Sequence, residues 1–148
     1  MKVIVQRVKK SSVKVNSRIV GKINYGYMIL VSFTYGDNEE IINYMINKIV
    51  NLRIMDDENK VMNKNILDVN GSILSISQFT LYADTKKGNR PSYIKALNGN
   101  EAAILYNLFN EKLSRFVPTK TGIFGSDMEI SLINDGPVTI ILEKENIK

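Results

Sequence analysis

Three short stretches of this chain carry side chains able to act on a substrate. The first is Ser77-Gln78-Phe79-Thr80-Leu81, which follows the apolar run Ile73-Leu74-Ser75-Ile76. A strand end that gathers two hydroxyls and a carboxamide offers donors and acceptors for a carbonyl group, and its backbone N–H groups can stabilise an oxyanion. The same side chains also suit plain capping of loop backbone. The second is Thr85-Lys86-Lys87-Gly88-Asn89-Arg90-Pro91-Ser92-Tyr93. Three cations, a glycine and a ring fit phosphates beside an unpaired, stacked base; a solvated surface loop has the same composition. The third is Asn134-Asp135-Gly136-Pro137-Val138-Thr139. It reads either as a tight turn joining two strands or as a loop built on a cis Gly136–Pro137 peptide, a form rare among X–Pro bonds.

The chain contains neither histidine nor cysteine. That excludes disulfides and every Cys- or His-ligated zinc site. It also excludes Ser-His-Asp and Cys-His machinery, since no imidazole is present to shuttle the proton. Chemistry must come from carboxylates, lysine, tyrosine, hydroxyls, backbone dipoles or the substrate itself.

The net charge of +5 is unevenly spread. No acidic residue precedes Asp37, whereas Lys2, Arg7, Lys9, Lys10, Lys14, Arg18 and Lys22 are all basic. With the second cluster at Lys86, Lys87 and Arg90, this asymmetry suits a polyanionic partner, and equally a solvated lysine-rich surface. The apolar runs are too short to span a membrane, and the first residues lack the continuous apolar core of a signal peptide. The cytosol is the expected location.

The 148 residues fit one domain, residues 1–148, able to bury its own core. Val3, Val5 and Val8 with Val13 and Val15 predict two short strands turning at Lys10-Ser11. Residues 18–23 and 27–33 predict a further hairpin about Asn24-Tyr25-Gly26. Asp37 as N-cap and Glu40 form a capping box, and Ile42, Met45, Ile46 and Ile49 continue it as a helix to about Asn51. Asp56-Asp57-Glu58-Asn59 reads as an acidic turn, and residues 73–77 as a buried strand. A second amphipathic helix opens near Asn100-Glu101 with Ala102, Leu105, Phe109 and Leu113 on one face, and strands close the chain at 121–124, 128–133 and 138–142. The pattern predicts an α+β domain: an antiparallel curled sheet or partial β-barrel with two amphipathic helices.

Taken together and in order, the motifs resemble the D-aminoacyl-tRNA deacylase (D-tyrosyl-tRNA deacylase) family. The resemblance is carried by Gln6-Arg7-Val8, the stretch 77–81, Asp84-Thr85-Lys86-Lys87-Gly88 with Arg90-Pro91-Ser92, and the stretch 134–139. Asn51-Leu52-Arg53-Ile54 and Gly122-Ile123-Phe124-Gly125 with Asp127-Met128 extend it over almost the whole chain. It implies hydrolysis of the ester joining a D-amino acid to the terminal adenosine of tRNA, by a homodimer with no metal and no organic cofactor. Gly136 and Pro137 would then form a cis-peptide gate inserted into the partner's active site, with Arg7 holding the loop. Ser77, Gln78, Phe79 and Thr80 would surround the ester and terminal ribose, and Lys86, Lys87, Arg90 and Tyr93 would meet the tRNA. Tyr93 departs from a usual phenylalanine, and Ser32-Phe33 from a commoner Gly-Val pair.

An aminoacyl ester is already reactive, so positioning and oxyanion stabilisation suffice. The ribose 2′-hydroxyl is the preferred helper of water; Thr80 as nucleophile ranks second because it has no evident base. Two other classes stand beside this reading: a non-catalytic RNA-binding module, and a general small-ester hydrolase.

Overall fold

The computed structural model describes residues 1–146. Its first element, β1 (Lys2–Val15), explains the valine pattern differently from the predicted pair of strands. Val3 and Val5 belong to one core, whereas Val8 and Val13 belong to another. Strict alternation would send odd and even residues to opposite faces, so Val13 requires a shift of parity after Val8. A bulge supplies it: the register against the last strand shifts between Val8 and Ser11. No turn occurs at Lys10-Ser11. Ser11 is buried, and its hydroxyl donates to the Ser131 carbonyl at 2.8 Å.

The turn falls instead at Asn16 and Ser17, whose φ values of 50° and 66° fit a two-residue hairpin. It leads into β2 (Arg18–Ile23), which pairs with the second half of β1. β3 (Gly26–Ser32) pairs with the first half of β1, so the predicted β2–β3 hairpin does not form. After α1 (Glu39–Asn51) come β4 (Met55–Asp56) and β5 (Met62–Lys64), a small hairpin around the acidic turn that sequence periodicity was too short to reveal. β6 (Ser72–Ser77) runs parallel to β3, and β7 (Thr119–Thr121) runs parallel to β6. The sheet is therefore mixed at these two pairings rather than antiparallel throughout. α2 (Gly99–Ser114) precedes β7. β8 (Glu129–Glu143) is one long strand antiparallel to β1, where two strands and a joining turn were expected; residues 122–124 lie outside any strand.

The α+β class, the curled and nearly closed sheet and the two helices agree with the sequence prediction. Inside the curl lie Val8, Val13, Ile23, Met28, Leu74 and Ile76. On the other face, Val3, Val5, Ile29 and Val31 pack with Ile42, Met45 and Ile49 of α1 and with Tyr106, Phe109 and Leu113 of α2. β3 and β6 are thus apolar on both faces, which suits strands covered on each side. Gly26 at the start of β3 has φ of 156°, and a Cβ there would stand 1.8 Å from the Ser72 carbonyl oxygen. Only glycine permits that approach to β6. No helix among the described residues is long and apolar enough to cross a membrane.

Asn38, not Asp37, caps α1, accepting from the Ile41 N–H at 3.1 Å. Asp37 serves the chain's first residue instead. The Met1 ammonium donates to Asp37 Oδ1 at 2.9 Å and to the Lys144 carbonyl at 2.8 Å, and the Asp37 side chain is fully buried. Burial pushes the Met1 ammonium pKa below its usual value, although Asp37 pulls it back. Asp37→Ala should therefore cost about 2 kcal/mol in urea unfolding, below the ~3–5 kcal/mol of a stranded buried charge because the amine can shed its proton. A loss under about 0.5 kcal/mol, the scale of an ordinary surface change, would contradict a structural role for the pair.

Candidate active site

β6 ends by delivering Ser77 and Gln78 to the mouth of the curled sheet. The Gln78 N–H donates to the Val31 carbonyl at 2.8 Å, fixing this strand end against β3. A single 3-10 turn, Phe79–Tyr82, follows at once. Its opening N–H groups, those of Phe79 and Thr80, have no carbonyl of their own turn to bond. From behind, the Tyr106 hydroxyl of α2 donates to the Ser75 carbonyl at 2.7 Å, and burial holds that phenol above its ordinary pKa.

Above this turn lies a cleft of about 600 Å³. Ser77, Gln78, Phe79 and Tyr93 all line it, and the Phe79 and Tyr93 rings meet edge to face with centroids 5.0 Å apart. The sequence grouped the first three with Thr80 around the ester and placed Tyr93 among the tRNA contacts. Thr80 is not on the lining; its hydroxyl accepts a hydrogen bond from Gln78 Nε2. Among the described residues no base contacts that hydroxyl.

The cleft also uses residues that had not been assigned to the site. Ser32, Phe33, Leu97 and Ala102 form one wall, and residues 124–128 with Ile130 form the other. Asp127 is the one carboxylate among these lining residues. The substitution of Ser32-Phe33 for a commoner Gly-Val pair was the available signal for the first wall, since a hydroxyl interrupts an apolar strand there. The 124–128 wall carried only its motif.

Lys86, Lys87 and Arg90 sit on an exposed loop, and none makes an ion pair among the described residues. The loop closes through paired backbone hydrogen bonds between Asp84 and Ser92, at 2.8 and 2.9 Å. Asp84 Oδ1 accepts the Lys86 N–H at 3.0 Å, and that bond holds the carboxyl below its usual pKa. The cations thus project from a fixed base next to Tyr93 and the cleft.

Gly136 and Pro137 are not among the residues lining their own chain's cleft. Between the Gln6–Thr139 and Val8–Asn134 pairs β1 advances two residues while β8 advances five, so the stretch 135–138 loops out of the ladder. Asn134 Nδ2 ties the base of that loop, donating to the Arg7 carbonyl at 2.9 Å and the Val138 carbonyl at 3.0 Å. The Gly136–Pro137 peptide is cis, and Gly136 has φ of 128°. Arg7, 4% exposed, lies beneath it. Its Nε donates to the Asp135 carbonyl at 3.2 Å and faces Asp135 Oδ2 at 3.3 Å, while Nη1 donates to the Ile54 carbonyl at 2.8 Å and Asp56 Oδ1 at 2.9 Å. The structure therefore separates the predicted site residues into two groups: a cleft, and a braced loop exposed elsewhere.

Comparison with known proteins bears on the fold and the family. A solved structure named c-Myc DNA Unwinding Element Binding Protein is 37% identical, with a TM-score of 0.93, covering 99% of this chain and 100% of that one. A second, described as a probable eukaryotic D-amino acid tRNA deacylase, shares the fold at 16% identity and a TM-score of 0.83, covering 95% and 97% of the two chains. The model of the family described as D-Tyr-tRNA(Tyr) deacylase matches residues 4–143. That match spans nearly the whole sequence, and the chain belongs to the D-Tyr-tRNA(Tyr) deacylase family.

Proposed function

We propose that this chain acts as a homodimer in the cytosol, carrying out its family's hydrolysis of D-aminoacyl-tRNA with each subunit's Gly136–Pro137 loop set into its partner's cleft. The observation that carries the reading is the separation just described. Ser77, Gln78, Phe79 and Tyr93 gather at one cleft, while the exposed Gly136 and Pro137 are braced outside it. A rigid loop that its own cleft does not use is suited to complete a second copy's cleft. β8 has no fully buried residue, and Ile133 and Ile141 are 46% and 70% exposed, so its apolar side chains are free to meet that copy.

In this reading the terminal adenosine and its aminoacyl ester enter the cleft, and Lys86, Lys87 and Arg90 lie against the acceptor-stem phosphates. The structural relative named for binding DNA also has a polyanion as its partner. Water attacks the ester carbonyl, assisted by the substrate's own ribose 2′-hydroxyl. The Phe79 N–H, on a residue that lines the cleft and spare at the start of its turn, is the donor assigned to the developing oxyanion. Collapse breaks the acyl–oxygen bond, the 3′-oxygen takes the proton, and free amino acid and tRNA leave. The chain contains no histidine or cysteine, and this route needs neither.

Selectivity follows from a backbone gate. Peptide carbonyls beside the α-carbon read the direction of a side chain without reading its identity. An L side chain collides with the loop, a D side chain projects outward, and glycine escapes the steric test. Rejection of L by a clash leaves affinity for D free to be ordinary.

D-tyrosyl-tRNA should therefore be deacylated at least about a hundredfold faster than L-tyrosyl-tRNA, a ratio within reach of a steric fit, and glycyl-tRNA should also be cleared. Equal rates on the two tyrosyl enantiomers would refute the gate; no loss of either ester would refute the hydrolase and favour an RNA-binding module. Thr80→Ala should keep most of its turnover, because that hydroxyl serves Gln78 rather than the carbonyl. A tRNA ending in 2′-deoxyadenosine should be a poor substrate. Abolished turnover in a folded, tRNA-binding Thr80→Ala protein would return Thr80 to the role of nucleophile.

A further inference from the structure

Ser32 ends β3 at the wall of the cleft, and only 2% of it is exposed. Its hydroxyl is buried without a hydrogen-bond partner among the described residues. The hydroxyls of Tyr27, Ser75 and Tyr82 and the amide oxygen of Asn110 share that condition, but none of those residues lines the cleft. Leu30 and Met28, two and four residues earlier on β3, belong to the interior of the curled sheet. Alternation along the strand puts Ser32 on that same side, at its open end. There Gln78 and Ile130 also line the cleft.

An unpaired buried hydroxyl weakens a fold, and a native one calls for a reason. Here the cleft provides it. We infer that the Ser32 hydroxyl is a substrate-binding group that hydrogen-bonds the terminal adenosine of the tRNA in the cleft that Phe79 also lines. This rests on the deacylase reading above. A chirality gate that ignores side-chain identity leaves no use for a fixed polar contact to the amino acid. The adenosine is the part common to every substrate, so an anchor belongs there. A serine hydroxyl both donates and accepts, and so matches either a ribose hydroxyl or a ring nitrogen of the base. Phe79 and Tyr93, 57% and 40% exposed and lining the same cleft, offer the aromatic surface that a nucleoside's flat faces need.

The test uses adenosine 5′-monophosphate, which carries the nucleoside and no amino acid, with D-tyrosyl-tRNA as the kinetic substrate. Ser32→Ala should weaken adenosine 5′-monophosphate binding by calorimetry about fivefold, the scale of one neutral hydrogen bond. It should raise KM for D-tyrosyl-tRNA by a similar factor and leave kcat within about twofold, as loss of uniform binding does. Its melting temperature should equal or exceed that of the parent protein, because an unpaired polar atom has gone; a packing role would lower it. Ser32→Cys, which keeps the volume but bonds weakly, should follow alanine in affinity. Unchanged nucleotide affinity in Ser32→Ala, full affinity in Ser32→Cys, or no binding of millimolar nucleotide by the parent protein would each overturn the assignment. A parent protein that deacylates D-tyrosyl-tRNA while Ser32→Ala binds and turns over normally would remove this inference and leave the deacylase reading standing.

Discussion

Arg7 carries a full charge with almost no access to water, and everything about the exposed loop depends on how that charge is met. A buried cation stays in a fold only when its donors are satisfied and its charge is opposed. Four groups meet that need: the Ile54 and Asp135 carbonyls and the Asp56 and Asp135 carboxylates. They come from two distant parts of the chain, residues 54–56 and Asp135, which one guanidinium ties together by its fixed planar fork. The consequence reaches β8 directly. A loop swollen out of a ladder would ordinarily be mobile, but this one is held at Asp135 from below and closed across its base by Asn134. A backbone gate depends on that rigidity, since a carbonyl that swings cannot distinguish two enantiomers.

The cleft is positioned by a separate constraint. The curled sheet has two apolar faces to cover, and β1 changes face along its length by slipping one residue. That slip lets one strand support the helix-covered core at its start and the inner core at its end. β3 and β6, buried on both sides and parallel, then stop at the same level, where Ser32 and Ser77 line the cleft. The proposed chemistry would need only an ordered strand end, a tight turn with spare N–H groups, and a substrate that brings its own hydroxyl. An imidazole would have little to add, and the chain contains none.

Local signals revealed the helices and most strand positions, because Ile42, Met45 and Ile49 or Phe109 and Leu113 repeat at a spacing that only a helix uses. Partners and continuity were less legible. Lys9 and Lys10 interrupt the valines of β1 as a turn would, yet they are the exposed residues of a bulged strand. Asn134-Asp135-Gly136-Pro137 has the composition of a hairpin turn, yet the ladder resumes beyond it with the same partner strand. Asp37 looked like an N-cap because the signal is local, while its actual partner is the Met1 ammonium, brought close only by the fold. The parallel pairing of β6 was equally invisible, since it is set by the long connections through α1 and α2. At the site, the strand-end motif was readable as chemistry. The second wall was not, because ordinary residues at 124–128 acquire a role only where the chain passes the cleft.

The most direct test of a gate supplied in trans is a mixed dimer. One subunit carries Gln78→Ala with Phe79→Ala to disable its cleft, and the other carries Gly136→Ala with Pro137→Ala to spoil its loop. The two are given different affinity tags and purified as the heterodimer, then assayed on D- and L-tyrosyl-tRNA. The intact cleft in this dimer faces the intact loop of its neighbour, so a trans gate predicts deacylation of D-tyrosyl-tRNA with the full rejection of L-tyrosyl-tRNA seen in the parent protein. Deacylation of both enantiomers by the mixed dimer would contradict it, because the working cleft would then be guarded by the spoiled loop of its own chain.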